Sequence, residues 1–183
     1  MRVDLSKYNN SWYNTGGSFF KRFIWYSLNV FFFKSTLLFP SKFKVWVLRL
    51  FGAKVGKNVC IKPCVNIKYP WNLEIGDNTW IGENVWIDNL VKVKIGNNVC
   101  ISQGALLLCG NHNYKKTTFD LMANCICLED GCWVGAKAIV TGGVTMCSHS
   151  VLSVGSVANH DLNAYVIYQG NPAEKVRNRI IEN

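Results

Sequence analysis

The chain repeats itself at a fixed step of twenty residues: Val55 to Glu74 begins VGKNVCI, Ile75 to Lys94 begins IGDNTWI, and Ile95 to Tyr114 begins IGNNVCI. Units that recur in this way cannot bury an apolar face alone and must stack on their own copies. Within each unit a large aliphatic residue returns every sixth position, at Val55, Ile61, Ile67, then Ile75, Ile81, Ile87, then Ile95, Ile101, Leu107, so a unit is three hexads plus two residues. After a break the beat resumes at Leu128, Val134, Val140, Met146, Leu152 and Ala158. A period of six fits neither a helix at 3.6 nor an amphipathic strand at 2. It fits a three-sided prism in which each hexad is one short strand and a corner, with its aliphatic residue on the axis. Successive coils then stack as parallel strands about 4.8 Å apart. Gly often follows the aliphatic residue (Gly56, Gly76, Gly82, Gly96), and the position two before the next one is small or β-branched (Val59, Thr79, Val85, Val91, Val99, Ala105).

Three segments are expected: an aromatic, basic stretch over 1–54, the prism over 55–170 with a loop at 113–127, and a tail over 171–183. At 183 residues this is one domain. Of the net +9, residues 1–54 carry +8 (nine Lys and Arg against Asp4) and residues 55–183 carry +1 (eleven against ten). A basic chain invites a nucleic-acid reading, but the basic part is crowded with Phe, Trp and Tyr and holds no nucleic-acid motif. Phe23 to Phe33 is only eleven uncharged residues, too short for a bilayer core of about 30 Å. Two roles are open for residues 19–51: covering an end of the prism whose strand edges are otherwise free, or resting on an anionic membrane. Ser41 to Phe51 reads as a helix with Ser41 as its cap, Phe43, Trp46, Val47 and Leu50 on one face, and Gly52 as its stop. The eight Cys include no paired C-x-x-C spacing, so they read as packing residues of a protein in a reducing cytoplasm.

The chemistry is expected where the beat breaks. After Leu107 the chain runs through Leu108-Cys109-Gly110-Asn111-His112, and the beat returns only at Leu128, twenty-one residues later. A loop on a rigid scaffold is a common place for function, and histidine can take a hydroxyl proton near neutral pH.

The segments Val65-Asn66-Ile67-Lys68-Tyr69-Pro70-Trp71, Trp86-Ile87-Asp88-Asn89, Ile101-Ser102-Gln103-Gly104-Ala105, Gly110-Asn111-His112-Asn113-Tyr114, Gly131-Cys132-Trp133-Val134-Gly135-Ala136-Lys137 and Gly170-Asn171-Pro172-Ala173 resemble the hexapeptide-repeat acyltransferases. The similarity is greatest to the colanic acid biosynthesis acetyltransferases, with the maltose and galactoside O-acetyltransferases more distant. The resemblance implies a mainly β fold, a left-handed parallel β-helix; general rules for crossovers alone favour the right hand. It implies an O-acetyltransferase moving an acetyl group from acetyl-CoA to a sugar hydroxyl in exopolysaccharide or cell-surface glycan synthesis, by direct attack and without a metal. His112 is then the general base and Asp88, on the preceding coil, the candidate that orients it, with Asp4 a weaker one. Trp133, Asn111, Asn113 and Tyr114 would meet the acceptor; Gly135, Ala136, Gly155, Ser156, His160 and Arg177 would meet the cofactor, Arg177 through its phosphates. Relatives of this shape are homotrimers with sites between subunits, and exposed Trp80 and Trp86 would suit such an interface.

Two departures stand out. Asn113 occupies a position where relatives carry Asp, and Asn159-His160-Asp161 replaces Thr-Lys-Asp, which removes a fixed charge near the CoA phosphates. A zinc hydration enzyme on the same prism needs three His in compatible phases, and His149 and His160 occupy different places in their hexads. Acetylation of an antibiotic or other small alcohol, and a non-catalytic scaffold, are the remaining alternatives.

Overall fold

A computed structural model describes residues 2–182. Three parallel sheets form the sides of a prism. The first contains Lys54–Val55, Leu73–Ile75, Val93–Ile95, Ile126–Leu128 and Thr145–Met146. The second runs through Cys60–Ile61, Trp80–Ile81, Cys100–Ile101, Trp133–Val134, Val151–Leu152 and Val166–Gly170, and the third through Asn66–Ile67, Trp86–Asp88, Leu106–Leu108, Ile139–Thr141 and Val157–Ala158. Register places the hexad residues on one another: Val55, Ile75, Ile95, Leu128 and Met146 form one ladder. Ile61, Ile81, Ile101, Val134, Leu152 and Tyr168 form the second, and Ile67, Ile87, Leu107, Val140 and Ala158 the third. Apart from Val55 these residues are buried, as are the small corner residues Val59, Thr79, Val85, Val99 and Ala105. Val91 is only half-buried; Val93 takes the inward place.

The Gly after the aliphatic residue answers to coil spacing. A Cβ on Gly76 would lie 2.6 Å from the carbonyl carbon of Gly96 and 2.7 Å from Asn97 N. The next position is an acid or amide that caps the coil before it: Asp77 Oδ1 accepts from Lys57 N, Asn97 Oδ1 from Asp77 N at 2.8 Å, and Asp130 Oδ1 from Asn97 N at 2.8 Å.

The leading segment closes the first coil, whose backbone has no coil beneath it. Helix α1 (Phe19–Leu28), with Ser18 as its cap, runs into a wider turn over Asn29–Phe33, and helix α2 (Ser41–Leu50) follows. Each face of the prism is met by side chains. Arg49 donates to the carbonyls of Val55 and Gly56 on the first. On the second, Ser41 Oγ accepts from Ile61 N at 2.9 Å and Lys44 Nζ donates to Lys62 O at 2.9 Å. On the third, Trp25 Nε1 donates to Ile67 O at 3.0 Å and Asn29 Nδ2 to Asn66 Oδ1 at 2.8 Å.

This corrects the expected α2. Ser41 lies inside the helix, which starts after Pro40, and its hydroxyl serves the sheet edge rather than the helix end. The buried face is Lys44, Val45, Val47 and Leu48, while Trp46 and Leu50 are exposed. The need to satisfy backbone groups at the end coil outweighs the apolar pattern, and Lys44 is buried because its ammonium supplies donors there. Burial pushes its pKa down. Ser41→Ala is expected to cost about 1–2 kcal/mol, because it leaves Ile61 N–H unpaired; urea midpoints with an unchanged slope would show it. The tail residues Ala173–Asn178 return antiparallel along Val166–Gly170, covering the last edge of the second sheet.

Candidate active site

One corner of the prism carries the extra residues. Between third face and first, the aliphatic beat lengthens to eight positions from Ile67 to Ile75 and from Ile87 to Ile95, and to twenty-one from Leu107 to Leu128. The short helix Pro70–Asn72 turns the first of these corners, and Asn89 fastens it: its Oδ1 accepts from Lys68 N and Tyr69 N at 3.1 and 3.0 Å. On the third coil the chain leaves as a hairpin, Gly110–His112 paired antiparallel with Leu121–Ala123. The N-terminal arm crosses the same corner. Asp4 N donates to Thr117 O, Tyr13 Oη donates to Leu90 O at 2.7 Å, and Tyr8 lies 5.9 Å from the His112 ring.

These parts enclose a cavity of about 470 Å³ whose walls include Tyr8, Tyr13, Lys68, Asp88, Asn111 and His112. His112 is half-buried and stacks on Phe119, with centroids 4.5 Å apart and planes at 7°. Its Nδ1 lies 3.0 Å from Phe119 O. A carbonyl can only accept, so Nδ1 carries the proton and Nε2 of the neutral ring is left as the acceptor. Phe119 holds this geometry with φ +50, a region a bulky residue rarely enters and one often found at functional sites.

The group that meets Nδ1 is therefore the Phe119 carbonyl, and no hydrogen bond joins the ring to Asp88. Asp88 is nearly buried and bound to Lys68 at 2.9 Å, so it shares the cavity as half of an ion pair. Asp4 bonds to Ser6 and Lys7. Asn111 lines the cavity, and its Oδ1 accepts from His112 N–H at 2.7 Å. Asn113 turns its Oδ1 onto Lys115 N within the loop, and Tyr114 is exposed outside the cavity walls. Cys109 lies just before the hairpin, and burial pushes its thiol up to about 12. Burial raises Cys132 as well. Neither is a thiolate nucleophile at neutral pH.

A second cleft, of about 610 Å³, lies on the second face. It collects Trp133, Gly135, Ala136 and Arg177, together with Ser102 and Arg179. Trp133 is half-exposed and its indole N–H donates to Ser102 Oγ at 2.9 Å, which fixes the ring across two coils. Arg179 Nη1 donates to Gly131 O and His149 O at 2.8 and 3.1 Å. Of the other residues expected at the cofactor, Ser156 is buried and accepts from Gly170 N, so its hydroxyl is a structural tie. Gly155 forms a turn at φ +66 with open space for 4 Å around the place a Cβ would take, and His160 is exposed with Nδ1 2.9 Å from Asn159 Oδ1. His149 stacks on Tyr165 at 4.7 Å and 4°. Among the described residues no cluster of three His, Cys, Asp or Glu is placed to hold a metal. Tyr8, Tyr13 and Arg179 were not legible as site residues, since no repeat or motif marks the arm, and Arg179 lies just beyond the last strand, Ala173–Asn178, in which only Arg177 was singled out.

No protein-family profile matches the chain. Over 165 residues it is 34% identical to a protein of Escherichia coli (strain K12) provisionally named colanic acid biosynthesis acetyltransferase WcaF, covering 90% of this chain and 91% of that one. The hexapeptide-repeat acetyltransferase VCA0836 of Vibrio cholerae, solved with acetyl-CoA, superposes with a TM-score of 0.78 at 22% identity, over 88% of each chain. A maltose O-acetyltransferase of Clostridium difficile 630 gives 0.80 at 21%, over 88% of this chain and 87% of that one.

Proposed function

The chain belongs to the hexapeptide-repeat acyltransferases with a left-handed parallel β-helix, in the group of the colanic acid biosynthesis acetyltransferases, and from that premise we propose that it moves an acetyl group from acetyl-CoA to a sugar hydroxyl of a surface or extracellular glycan precursor. The observation that carries this reading is His112 at the break in the repeat, with Nδ1 engaged by Phe119 O and Nε2 left to accept a proton.

In this reading Nε2 takes the proton of the acceptor hydroxyl as that oxygen attacks the thioester carbonyl. Backbone N–H groups of the coil beside the hairpin hold the developing oxyanion. The C–S bond then breaks, the acetyl group stays on the sugar oxygen, and the imidazolium returns its proton to the CoA thiolate. The Trp133 cleft suits the donor: Gly135 and Ala136 line it beside Trp133 and Ser102, where a pantetheine chain can lie, and Arg177 and Arg179 bring charge for phosphates.

The His112 cavity and the Trp133 cleft have no wall residue in common, which supports a homotrimer in which His112 of one subunit serves the cleft of the next. Among the described residues no helix is long and apolar enough to cross a membrane. We place the work in the cytoplasm at the inner membrane face, with contact through residues 19–51, where Phe19, Phe20, Phe23 and Ile24 are exposed within the +8 segment. The test is CoA release by the full chain given acetyl-CoA and a panel of sugars, nucleotide sugars and lipid-linked sugars. Release that depends on one glycan acceptor is expected; absence of acetyl-CoA binding would sink the reading.

A further inference from the structure

A third cavity, of about 450 Å³, lies between α1 and the third face of the prism. Its wall is mostly apolar, with Phe19, Phe23, Tyr26 and Trp86 along it, and it contains Arg22, Lys34 and Lys68 but no acidic residue. Arg22 is the informative member. Its Nε is buried and has no hydrogen-bond partner, and neither Arg22 nor Lys34 enters an ion pair among the described residues. A buried guanidinium nitrogen without an acceptor is costly to maintain unless something supplies one. Lys68 and Tyr69 are also walls of the His112 cavity, so the two spaces adjoin at one partition. Lys68 is itself neutralised by Asp88, which leaves Arg22 and Lys34 as the free charges.

We propose that this groove binds a phosphate ester of a long apolar chain, with the phosphate against Arg22 and Lys34 and the chain along the aromatic wall. In the context of the proposed acetyl transfer it holds the carrier end of a lipid-linked acceptor, while the sugar reaches past Lys68 and Tyr69 to His112. The carrier role rests on that reading; the binding site does not. Guanidinium groups favour phosphate by charge and by their fork of donors, and burial of the chain adds the hydrophobic contribution.

The test is calorimetric titration of the full chain with farnesyl monophosphate below its micelle concentration, beside farnesol and inorganic phosphate. Saturable binding of farnesyl monophosphate is expected, weakened about tenfold by Arg22→Gln or by Lys34→Gln, with farnesol and inorganic phosphate each far weaker. Lys34 is exposed, so its variant keeps the test valid should Arg22→Gln fail to fold. Equal affinity in the Lys34→Gln and wild-type chains, or binding of inorganic phosphate as tight as that of the farnesyl ester, would overturn the proposal. Binding that vanishes as the chain self-associates would assign the groove to a second copy and overturn it too. The titration contains no acetyl-CoA. A chain that binds the probe but transfers no acetyl group therefore leaves the groove standing and counts against the transfer reading alone.

Discussion

Replacing His112 by alanine is expected to lower acetyl transfer by about 10²–10⁴-fold, the usual contribution of a positioned general base, while acetyl-CoA binding is unchanged. The first part follows from how the ring is held. Phe119 stacks on it, and the Phe119 carbonyl engages Nδ1 at 3.0 Å, so a single tautomer presents Nε2 without any rearrangement at the moment of reaction. The second part follows from where the donor is held: Trp133, Gly135 and Arg177 line the cleft on the second face, and the neighbouring subunit's imidazole is asked only to reach the acceptor hydroxyl. Initial rates of CoA release would give kcat, and calorimetry with acetyl-CoA would give binding. A variant that keeps transfer within tenfold of wild type would remove His112 from the role of base. A variant that loses donor binding together with rate would mean that the ring contacts the donor.

Gly76→Ala is the substitution with the largest expected effect on stability. The added Cβ would meet backbone atoms of the next coil at 2.6–2.7 Å, and a stacked backbone cannot yield as a flexible side chain does. Overpacking of this kind costs about 2–3 kcal/mol, or roughly 4–12 °C in Tm for a chain of this size. Gly155 is the comparison. It has φ +66 but open space where a Cβ would stand, so Gly155→Ala bears only the left-handed backbone penalty of about 1 kcal/mol. Thermal unfolding of the two variants separates the explanations. If Gly155→Ala proves the more damaging, backbone conformation rather than coil spacing is what glycine serves in this fold.

Much of the architecture could be read from the residues because a solenoid writes its contacts locally. Ile75 touches Ile95 for the same reason that Ile61 touches Ile81, so the twenty-residue step is also the contact map, and the ladders needed no knowledge of distant chain. The break at Leu107 likewise marked where a hairpin had to leave. The leading segment was harder. Its apolar residues pointed to a helix, yet the buried face of α2 includes Lys44, because the first coil presents carbonyls with no strand beneath them. That demand arises from an edge that exists only once the prism is built.

The candidate site divides in the same way. The repeat by itself determined the prism, the ladders on its axis and the corner from which His112 projects, since each depends on residues a fixed distance apart. Only the tertiary structure decided that Phe119 O rather than Asp88 holds the ring, that Lys68 neutralises Asp88, and that Tyr8 and Tyr13 wall the cavity. Those contacts join the arm, a corner and a hairpin that obey no common period. Their pairing is set by how three irregular segments share one space.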